Sequence, residues 1–291
     1  MLHREISSES ARQRLLAGLP LRERRVDVAG VSTLVLEGGE GSPVVLLHGP
    51  GAHALAWMRV IPGLVGRYRV IVPDFPAHGE SAPLDGELDV SRMMTWLAEL
   101  VERTCARPPA LVGHLTGGSI AARFAAEQPQ KVGKLVLVNS MGLAELAPMP
   151  AFGMAISRFF TEPSHPSHEQ LWQHCAHDLE GLKRQMAEIW NDFEEYNIEV
   201  ASASALGASV PKLLELFARN PLEPALLERI TAPVTLVWGR HDRATPLAVA
   251  EAASKRYHWP LRIIEGANDD PPVEQPEALV LVLRDVLSGV S

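Results

Sequence analysis

The stretch Ala110-Leu-Val-Gly-His-Leu-Thr-Gly-Gly-Ser-Ile120 joins two different patterns through a very short turn. It begins as a continuous apolar run, which is typical of a strand buried on both faces. Glycine-rich residues follow at once and permit a tight turn, and the residues after them have a helical pattern. A buried strand that turns directly into a helix predicts a parallel sheet covered by helices.

Apolar, β-branched runs of the same kind recur along the chain and alternate with helical patterns. They are Val44-Val-Leu-Leu47, Arg69-Val-Ile-Val72, Lys134-Leu-Val-Leu-Val138, Val234-Thr-Leu-Val-Trp238 and Leu261-Arg-Ile-Ile264. Because parallel strands are joined by crossover helices, this alternation predicts a mostly parallel sheet with both faces covered. Residues 24–28 and 32–36 predict an antiparallel hairpin at one edge of the sheet. Helices are predicted after Asp89, over residues 118–127 and over residues 276–287.

The alternation stops between residues 143 and 227, where the sequence has no convincing strand pattern. Helical patterns interrupted by prolines lie around residues 151–160, 168–187 and 210–219. We therefore expect an α/β core formed by residues 1–142 and 228–291, with an all-helical cap over residues 143–227. Such a cap would cover the crevice at the carboxyl ends of the strands, where open α/β sheets bind ligands.

Four short motifs occur in order along this pattern. They are Leu47-His-Gly-Pro-Gly51, Pro73-Asp-Phe-Pro-Ala-His-Gly-Glu-Ser81, Gly113-His-Leu-Thr-Gly117 and Trp238-Gly-Arg-His-Asp-Arg-Ala-Thr-Pro246. Together they resemble the oxyanion loop, the D-x-P-G-H-G-x-S loop, the nucleophile elbow and the acid-bearing loop of the α/β-hydrolase superfamily. The resemblance covers nearly the whole chain, and the spacing around the first motif is similar to that of carbon–carbon bond hydrolases. It implies the α/β-hydrolase fold.

The chain departs from that superfamily at the residues that carry its chemistry. The resemblance places Leu115 where the G-x-S-x-G elbow has its serine, and Asp269 where the family has its catalytic histidine. Only the acid, Asp242, matches. Leucine has no lone pair for attack and no proton to release, so serine-type acyl transfer has lost both its nucleophile and its base.

Leu115, His114 and Thr116 are expected to border the ligand pocket at the nucleophile position. Thr116 would replace the serine only if the elbow shifted by one residue, which would put His114 where the strained turn needs a small side chain. The main-chain N–H of Thr116 stays available to an oxyanion. His114 either packs beneath the turn or contributes to the pocket.

Gly49, Pro50 and Gly51 form the predicted oxyanion loop. Pro50 has no N–H to offer to an oxyanion, so Gly51 can supply one only along a different loop path. The resemblance implies that His48 and His78 are structural residues that tie loops together by hydrogen bonds.

Asp242 and Asp269 are the candidate acid–base pair. If the two carboxyls approach each other at the cavity wall, like charge in a poorly solvated site raises one pKa towards neutrality. Asp270 adds a third carboxyl, and the alternative is that Asp269 and Asp270 form a solvated turn before Pro271. His53, which follows the oxyanion loop, either enters the cavity or lies on a solvated loop.

These observations favour an enzyme without a serine nucleophile, which uses Asp242, Asp269 and His53 for acid–base chemistry. An apolar or aromatic small molecule is the expected substrate, because the helical insertion is rich in aromatic residues, and lyase, isomerase and cyclase reactions all agree with the pattern. A non-catalytic protein that binds small molecules in the old hydrolase pocket is the first alternative. A hydrolase with an unrecognised nucleophile is the second.

Composition and charge limit the classes of partner that the chain is expected to bind. A formal net charge of −8 argues against nucleic acid and anionic membrane surfaces. No apolar run approaches the ~20 residues of a membrane helix, and the N-terminus lacks the apolar region of a signal peptide. No metal-ligand spacing and no glycine-rich phosphate loop is present in the sequence. We therefore expect a cytoplasmic protein that binds a small molecule without metal or cofactor, and a homo-oligomer is compatible with the sequence.

Overall fold

The computed structural model of the chain describes residues 9–146 and 149–288. Residues 1–8, where the sequence predicts no signal peptide, lie outside this part. Eight strands form one sheet: β1 Arg22–Val28, β2 Val31–Gly38, β3 Ser42–Leu47, β4 Tyr68–Pro73, β5 Ala110–His114, β6 Lys134–Val138, β7 Val234–Gly239 and β8 Leu261–Ile264. Every strand run predicted from the sequence is therefore present.

The strands are ordered β1-β2-β4-β3-β5-β6-β7-β8 across the sheet. The β1–β2 hairpin and the β2–β4 pair are antiparallel, and all the other pairs are parallel. The predicted mostly parallel sheet with an antiparallel hairpin at one edge is confirmed. Because β5 to β8 are parallel, the loops after them meet at the same edge of the sheet.

Both faces of the sheet are packed. Successive side chains of a strand point to opposite faces, and β3 shows the result. Val44 and Leu46 belong to one buried apolar cluster, whereas Val45 and Leu47 belong to the other. All six residues of β3 are buried, which explains why this strand has a continuous apolar sequence without polar alternation.

Twelve helices are present in the described residues. They are α1 Ala11–Leu16, α2 Val90–Thr104, α3 Thr116–Glu127, α4 Pro150–Thr161, α5 His165–Cys175, α6 Leu179–Met186, α7 Glu188–Ala201, α8 Ser204–Phe217, α9 Pro224–Leu227, α10 Leu247–Tyr257, α11 Pro271–Glu274 and α12 Pro276–Leu287. The carboxylate of Asp89 accepts a hydrogen bond from the main-chain N–H of Arg92 at 2.8 Å, as expected of the residue that caps α2.

The segment between β6 and β7 is helical in its described residues, but its helices differ from the predicted ones. The single helix expected over residues 168–187 is two helices, because the Asp178 carboxylate accepts from the N–H of Gly181 and starts α6. Helix α7 was not predicted from the sequence. Pro211, expected to interrupt a helix, lies inside α8. The interpretation of this segment as a separate cap stays a prediction.

No single described helix is long and apolar enough to span a membrane. One bent pair of helices, Glu188–Ala201 with Ala205–Phe217, reaches the required length and apolar composition only when the two helices are taken together.

The turn between β5 and α3 is held in a strained conformation. Leu115 has φ 49° and ψ −114°, a region that residues with a side chain rarely adopt. Its N–H donates to the carbonyl of Val138 on the neighbouring strand, at 3.1 Å. A Cβ on Gly117 would lie 2.5 Å from the carbonyl oxygen of His48, so only glycine permits this close approach to the loop after β3.

We expect Leu115→Gly to be more stable than Leu115→Ala by about 1–2 kcal/mol in the free energy of unfolding. Both variants remove the buried leucine side chain, but only alanine retains a Cβ at a positive φ. Urea unfolding measures the difference. Ala122→Gly, inside α3, is the matched control and should be destabilised by about 1 kcal/mol relative to the parent. If alanine were as stable as glycine at position 115, the turn would not be strained.

Candidate active site

A cavity of about 440 Å³ lies where the carboxyl ends of the strands face the helical segment α4–α8. Its floor comes from the loops after the strands, including the oxyanion loop after β3 and Leu115 after β5. Its roof comes from α4, α5, α7 and α8. This volume suits a small organic molecule. The structure therefore covers the crevice at the carboxyl ends of the strands with helices.

Most of the cavity wall is apolar. The side chains that form it include Leu115, Met141, Leu146, Phe152, Ile156, Phe159, Phe160, Trp172, Phe193, Val210 and Leu214. Leu115 takes the place that the resemblance gives to the nucleophile, and its side chain packs with Met141 and Ala218. The elbow thus contributes hydrocarbon to the wall.

The wall also carries a small number of polar groups. They are His53, His114, Ser157, Thr161, His168, Cys175, Asn197, Arg219 and Asp270. Asn197 lies within hydrogen-bond distance of both His53, at 2.9 Å, and His168, at 3.0 Å. In an apolar cavity, a few polar groups fix the orientation of a ligand.

Asp242 is buried, and both of its carboxylate oxygens accept hydrogen bonds. Its Oδ1 accepts from the N–H groups of Ala244 and Thr245, both at 2.8 Å. Its Oδ2 accepts from Asn139 Nδ2 and Thr245 Oγ1, both at 2.6 Å. Burial nevertheless raises the pKa of Asp242 to about 6. Asp242 does not border the cavity, so in this structure it holds the loop after β7.

Asp269 is buried as well, with 3% of its surface exposed, so it does not lie in the solvated turn considered as an alternative. Burial, and then the charges of Asp242, Asp270 and Glu274, raise the pKa of Asp269 well above its usual range. Its main-chain carbonyl accepts a 2.6 Å hydrogen bond from His114 Nε2, which ties this loop to the elbow. Its side chain is not part of the cavity wall.

Asp270 is the carboxyl that borders the cavity. Its Oδ1 is closed off and has no hydrogen-bond partner among the described residues, while the residue as a whole is half-buried. Burial raises the pKa of Asp270 to about 7. From the sequence, Asp270 was expected only as a third carboxyl near the candidate acid–base pair. No rule of sequence spacing indicates that Asp270, and not Asp269, borders the cavity.

Glu274 completes this group of buried acids. It accepts hydrogen bonds from the N–H groups of His177 and Asn268, and so links the helical segment to the loop after β8. Burial raises the pKa of Glu274 to about 7. Cys175, which borders the cavity, lies near the same acids, and its thiol has a pKa raised well above the usual range by burial and by Asp269.

Two further predicted site residues have separate environments. His53 borders the cavity, and burial lowers its pKa to about 4. His114 also borders it, with a pKa lowered to about 4 by burial. Both imidazoles are therefore neutral at neutral pH. Thr116 is fully buried and does not border the cavity, and its Oγ1 has no hydrogen-bond partner within residues 9–146 and 149–288.

The oxyanion loop lies at the cavity as expected, since Gly49, Pro50 and Gly51 all border it. The N–H of Ala52 donates to the carbonyl of Gly49 at 3.3 Å and closes the turn. His48 Nε2 accepts from the N–H of Phe75 at 3.1 Å, so this histidine ties two loops together.

His78 Nδ1 lies 3.0 Å from the carbonyl of Pro76 and donates to it, a bond within its own loop. In the described part of the chain, no group of three or more His, Cys, Asp or Glu residues is arranged to hold a metal ion.

Comparisons with known proteins agree with this architecture. Residues 44–281 match the Alpha/beta hydrolase family. The chain is 32% identical to the magnesium-chelatase 30 kDa subunit of Rhodobacter capsulatus over 245 residues, 79% of this chain and 81% of that protein. It is 31% identical to a 2-hydroxy-6-oxononadienedioate/2-hydroxy-6-oxononatrienedioate hydrolase of Cupriavidus pinatubonensis, over 73% of this chain and 74% of that protein. A solved membrane phospholipase A is similar with a TM-score of 0.80 and 28% identity, covering 96% of this chain and 89% of its own.

We expect Asp270→Asn to change the pH dependence of stability. Because the folded pKa of about 7 is above the ordinary value near 4, Asp270 stabilises the folded state most at low pH, and this contribution is lost as the pH rises through 7. Asparagine is neutral throughout. Relative to the parent, the variant should therefore gain about 2–3 kcal/mol in unfolding free energy between pH 5 and pH 8.

Urea unfolding at the two pH values measures this gain. Asp27→Asn, which removes an exposed carboxylate from β1, is the control for loss of one charge. An equal effect of Asp270→Asn at pH 5 and pH 8 would contradict the assignment of a raised pKa.

We also expect a serine-type triad to be recoverable. Leu115→Ser combined with Asp269→His should hydrolyse p-nitrophenyl acetate at least about 10-fold faster than the parent or either single variant, because a serine needs a base. Initial rates of nitrophenol release measure this effect. The parent carrying Thr116→Val is the control for a threonine nucleophile. If the parent already matched the double variant and lost its rate with Thr116→Val, a nucleophile would be present at Thr116.

Proposed function

The chain belongs to the α/β-hydrolase family, and we propose that it is an enzyme that transfers protons on an apolar or aromatic small molecule without a covalent serine intermediate. The observation that carries the proposal is the carboxyl group of Asp270, which borders an apolar cavity and has one oxygen without a partner in the described residues. Lyase, isomerase and cyclase reactions are the classes that this chemistry serves.

Asp270 suits a general acid or base. A group whose pKa is near the working pH is present in both protonation states and transfers protons efficiently. Burial gives Asp270 a pKa of about 7, and the apolar wall around it keeps the carboxyl poorly solvated. In its neutral form it donates a proton to a basic atom of the ligand, and the carboxylate that remains takes a proton back.

Asp242 and Asp269 are not part of the cavity wall, but their charges act on each other. The charge of Asp242 opposes ionisation of Asp269, and both Asp242 and Glu274 contribute to the raised pKa of Asp269. We propose that Asp269 holds its proton at neutral pH and serves as a second acid next to Asp270. Asp242 acts through Asp269 and is therefore a positioning residue.

The relatives support a small-molecule substrate. One of them is named as a hydrolase of two unsaturated dicarboxylates, and its similarity covers about three quarters of each chain. We transfer from that name only the class, a small organic molecule, because Leu115 and Asp269 stand where hydrolysis needs a nucleophile and a base.

A non-catalytic binding protein is the second candidate, and the apolar side chain of Leu115 in the cavity wall favours it. One relative in the family is named as a magnesium-chelatase subunit rather than as a hydrolase. A hydrolase based on Thr116 is less well supported, because Thr116 is fully buried away from the cavity.

The test identifies the ligand and then asks whether it is converted. Native mass spectrometry of the purified protein detects a co-purifying molecule, and chromatography with mass spectrometry follows that molecule during incubation with fresh protein. We expect turnover by the parent and a loss of about 10²–10⁴-fold in kcat for Asp270→Asn. Asp27→Asn, which is distant from the cavity wall, is the matched control. Binding without conversion would leave the second candidate, and full activity of Asp270→Asn would exclude the proposed role.

A further inference from the structure

Arg219 is the one lysine or arginine that borders the cavity within residues 9–146 and 149–288. It lies just after the C-terminal end of α8, a helix that forms part of the cavity roof. Three histidines also border the cavity, but burial lowers the pKa of each, so they are neutral at neutral pH. In the described part of the chain, Arg219 therefore supplies the positive charge of the wall.

Main-chain hydrogen bonds fix the position of Arg219. Its N–H donates to the carbonyl of Leu214 at 2.9 Å and closes the end of α8. Three residues further on, the N–H of Leu222 donates to the carbonyl of Gly142 at 2.8 Å, which ties the segment to the loop after β6. The backbone that carries Arg219 is held on both sides, so the arginine is presented to the cavity from a rigid base.

Arg219 is also next to the nucleophile position. The residue before it, Ala218, is fully buried and packs with Leu115 and Met141 in one apolar cluster. A molecule that covers the side chain of Leu115 with an apolar part therefore has Arg219 at the edge of that part. Charge and hydrocarbon are offered to the same ligand.

The side chain of Arg219 is accessible from the cavity and from solvent. The residue is exposed, and so are three others of the wall, Ser157, Thr161 and Pro211, which shows that the cavity opens along α4 and α8. Among the described residues, the Arg219 side chain has no hydrogen-bond or ion-pair partner. Its N–H donors are available to a planar carboxylate, which an arginine binds through two parallel hydrogen bonds.

The charges of the chain give an anionic ligand one orientation. A carboxylate is costly to bury in an apolar cavity unless a cation pairs with it, and the formal net charge of −8 offers anions no general attraction. Asp270, the acid that borders the cavity, disfavours a second carboxylate beside it. A molecule with one carboxylate is therefore expected to place that group at Arg219, near solvent, and its apolar body inside the cavity.

We propose that the cavity binds an amphipathic carboxylate, a molecule with one carboxylate group and an aromatic or other apolar body. Arg219 binds the carboxylate, while the body lies against Leu115. Arg219 is thus a specificity-determining residue. The proposal rests on the proposed function for the choice of cavity and deepens it by naming the charge of the ligand. It requires no turnover, since the contact is made on binding.

Titration calorimetry on the full chain tests the charge with two probes of nearly the same shape. 2-Naphthoate carries the carboxylate, and 2-naphthamide replaces it by a neutral amide. We expect the parent to bind 2-naphthoate at least about 5-fold more tightly, because a charge-assisted hydrogen bond is stronger than a neutral one. Arg219→Gln should lower the affinity for 2-naphthoate to that for 2-naphthamide and leave the binding of 2-naphthamide unchanged.

Two further variants control for charge and for geometry. Arg184→Gln removes an exposed arginine of α6 that does not border the cavity, and it is the matched control for the loss of one charge. It should keep the preference within about 2-fold of the parent, since distant surface charges contribute little. Arg219→Lys keeps the charge without the planar fork and should retain only part of the preference.

Salt and a smaller anion separate this site from an ordinary surface arginine. The preference for 2-naphthoate should fall as NaCl is raised from about 0.02 M to about 0.5 M, because an accessible ion pair is screened, whereas the binding of 2-naphthamide should not weaken. Acetate has the same charge but no apolar body. It should bind at least about 100-fold more weakly than 2-naphthoate, since it buries little apolar area.

Four results would overturn the proposal. They are equal affinity of the parent for the two naphthyl probes, failure of both to bind, a preference that survives Arg219→Gln, and acetate binding as tight as that of 2-naphthoate. A preference that survives the loss of the arginine would leave Arg219 only an interaction with the carbonyl end of α8.

The outcome is separate from that of the proposed function. Asp270→Asn should keep the preference for 2-naphthoate over 2-naphthamide, because it leaves Arg219 in place. An intact preference in a protein that converts nothing would reject only the enzyme proposal. Turnover that depends on Asp270, in a protein without the preference, would reject only the role of Arg219.

Discussion

The close contact between the β5–α3 turn and the loop after β3 is the constraint on which the site depends. Gly117 packs against the carbonyl of His48 with no room for a Cβ, and the N–H of Leu115 is tied to the carbonyl of Val138. These are main-chain contacts, so they hold the turn whatever side chain occupies position 115. The geometry that presents a nucleophile in the family is therefore kept here, although the side chain it presents is a hydrocarbon.

The buried acids in the loops after β7 and β8 differ in how their oxygens are paired. Asp242 receives four hydrogen bonds, which a carboxylate can accept, and Glu274 receives its bonds from main-chain N–H groups. Asp269 and Asp270 each have an oxygen without a partner in the described residues. A buried carboxyl without donors is more stable in its neutral form, so the lack of partners itself raises the pKa. Asp269 and Asp270 therefore both favour their protonated forms more than an exposed aspartate does.

The sequence predicted the sheet well because burial on both faces leaves a plain signal. β3 and β5 are continuous apolar runs, and each ends at a glycine-containing turn that a tight loop requires. The helical segment was predicted less well, since its boundaries depend on single contacts such as the cap at Asp178. Pro211 lies within α8, where a rule about proline alone predicts an interruption.

The candidate site was predicted only in part, because some of its residues belong to no motif and are brought together only by the fold. Leu115 and the oxyanion loop were located because the motifs carry them, and His53 because it follows the first motif closely. All of them border the cavity. Asn197, His168 and Glu194 belong to no motif. The hydrogen bond between His53 and Asn197 joins two residues that are far apart in the sequence. The difference between Asp269 and Asp270 is the orientation of adjacent residues in one loop. Neither kind of information is present in a pattern of residue types.

The protons and lone pairs of this site differ from those that serine hydrolysis needs. A serine hydrolase keeps a proton on its nucleophile and a lone pair on the neighbouring histidine, so that the histidine can take the proton. The resemblance places Asp269 at the histidine position and Leu115 at the nucleophile position. The raised pKa of Asp269 favours its protonated form, and the side chain of Leu115 has neither a proton to release nor a lone pair. Asp270, whose pKa burial raises to about 7, is the carboxyl that borders the cavity. A ligand in the cavity therefore meets the hydrocarbon side chain of Leu115 and the carboxyl of Asp270, and the described residues place no other acid at the wall.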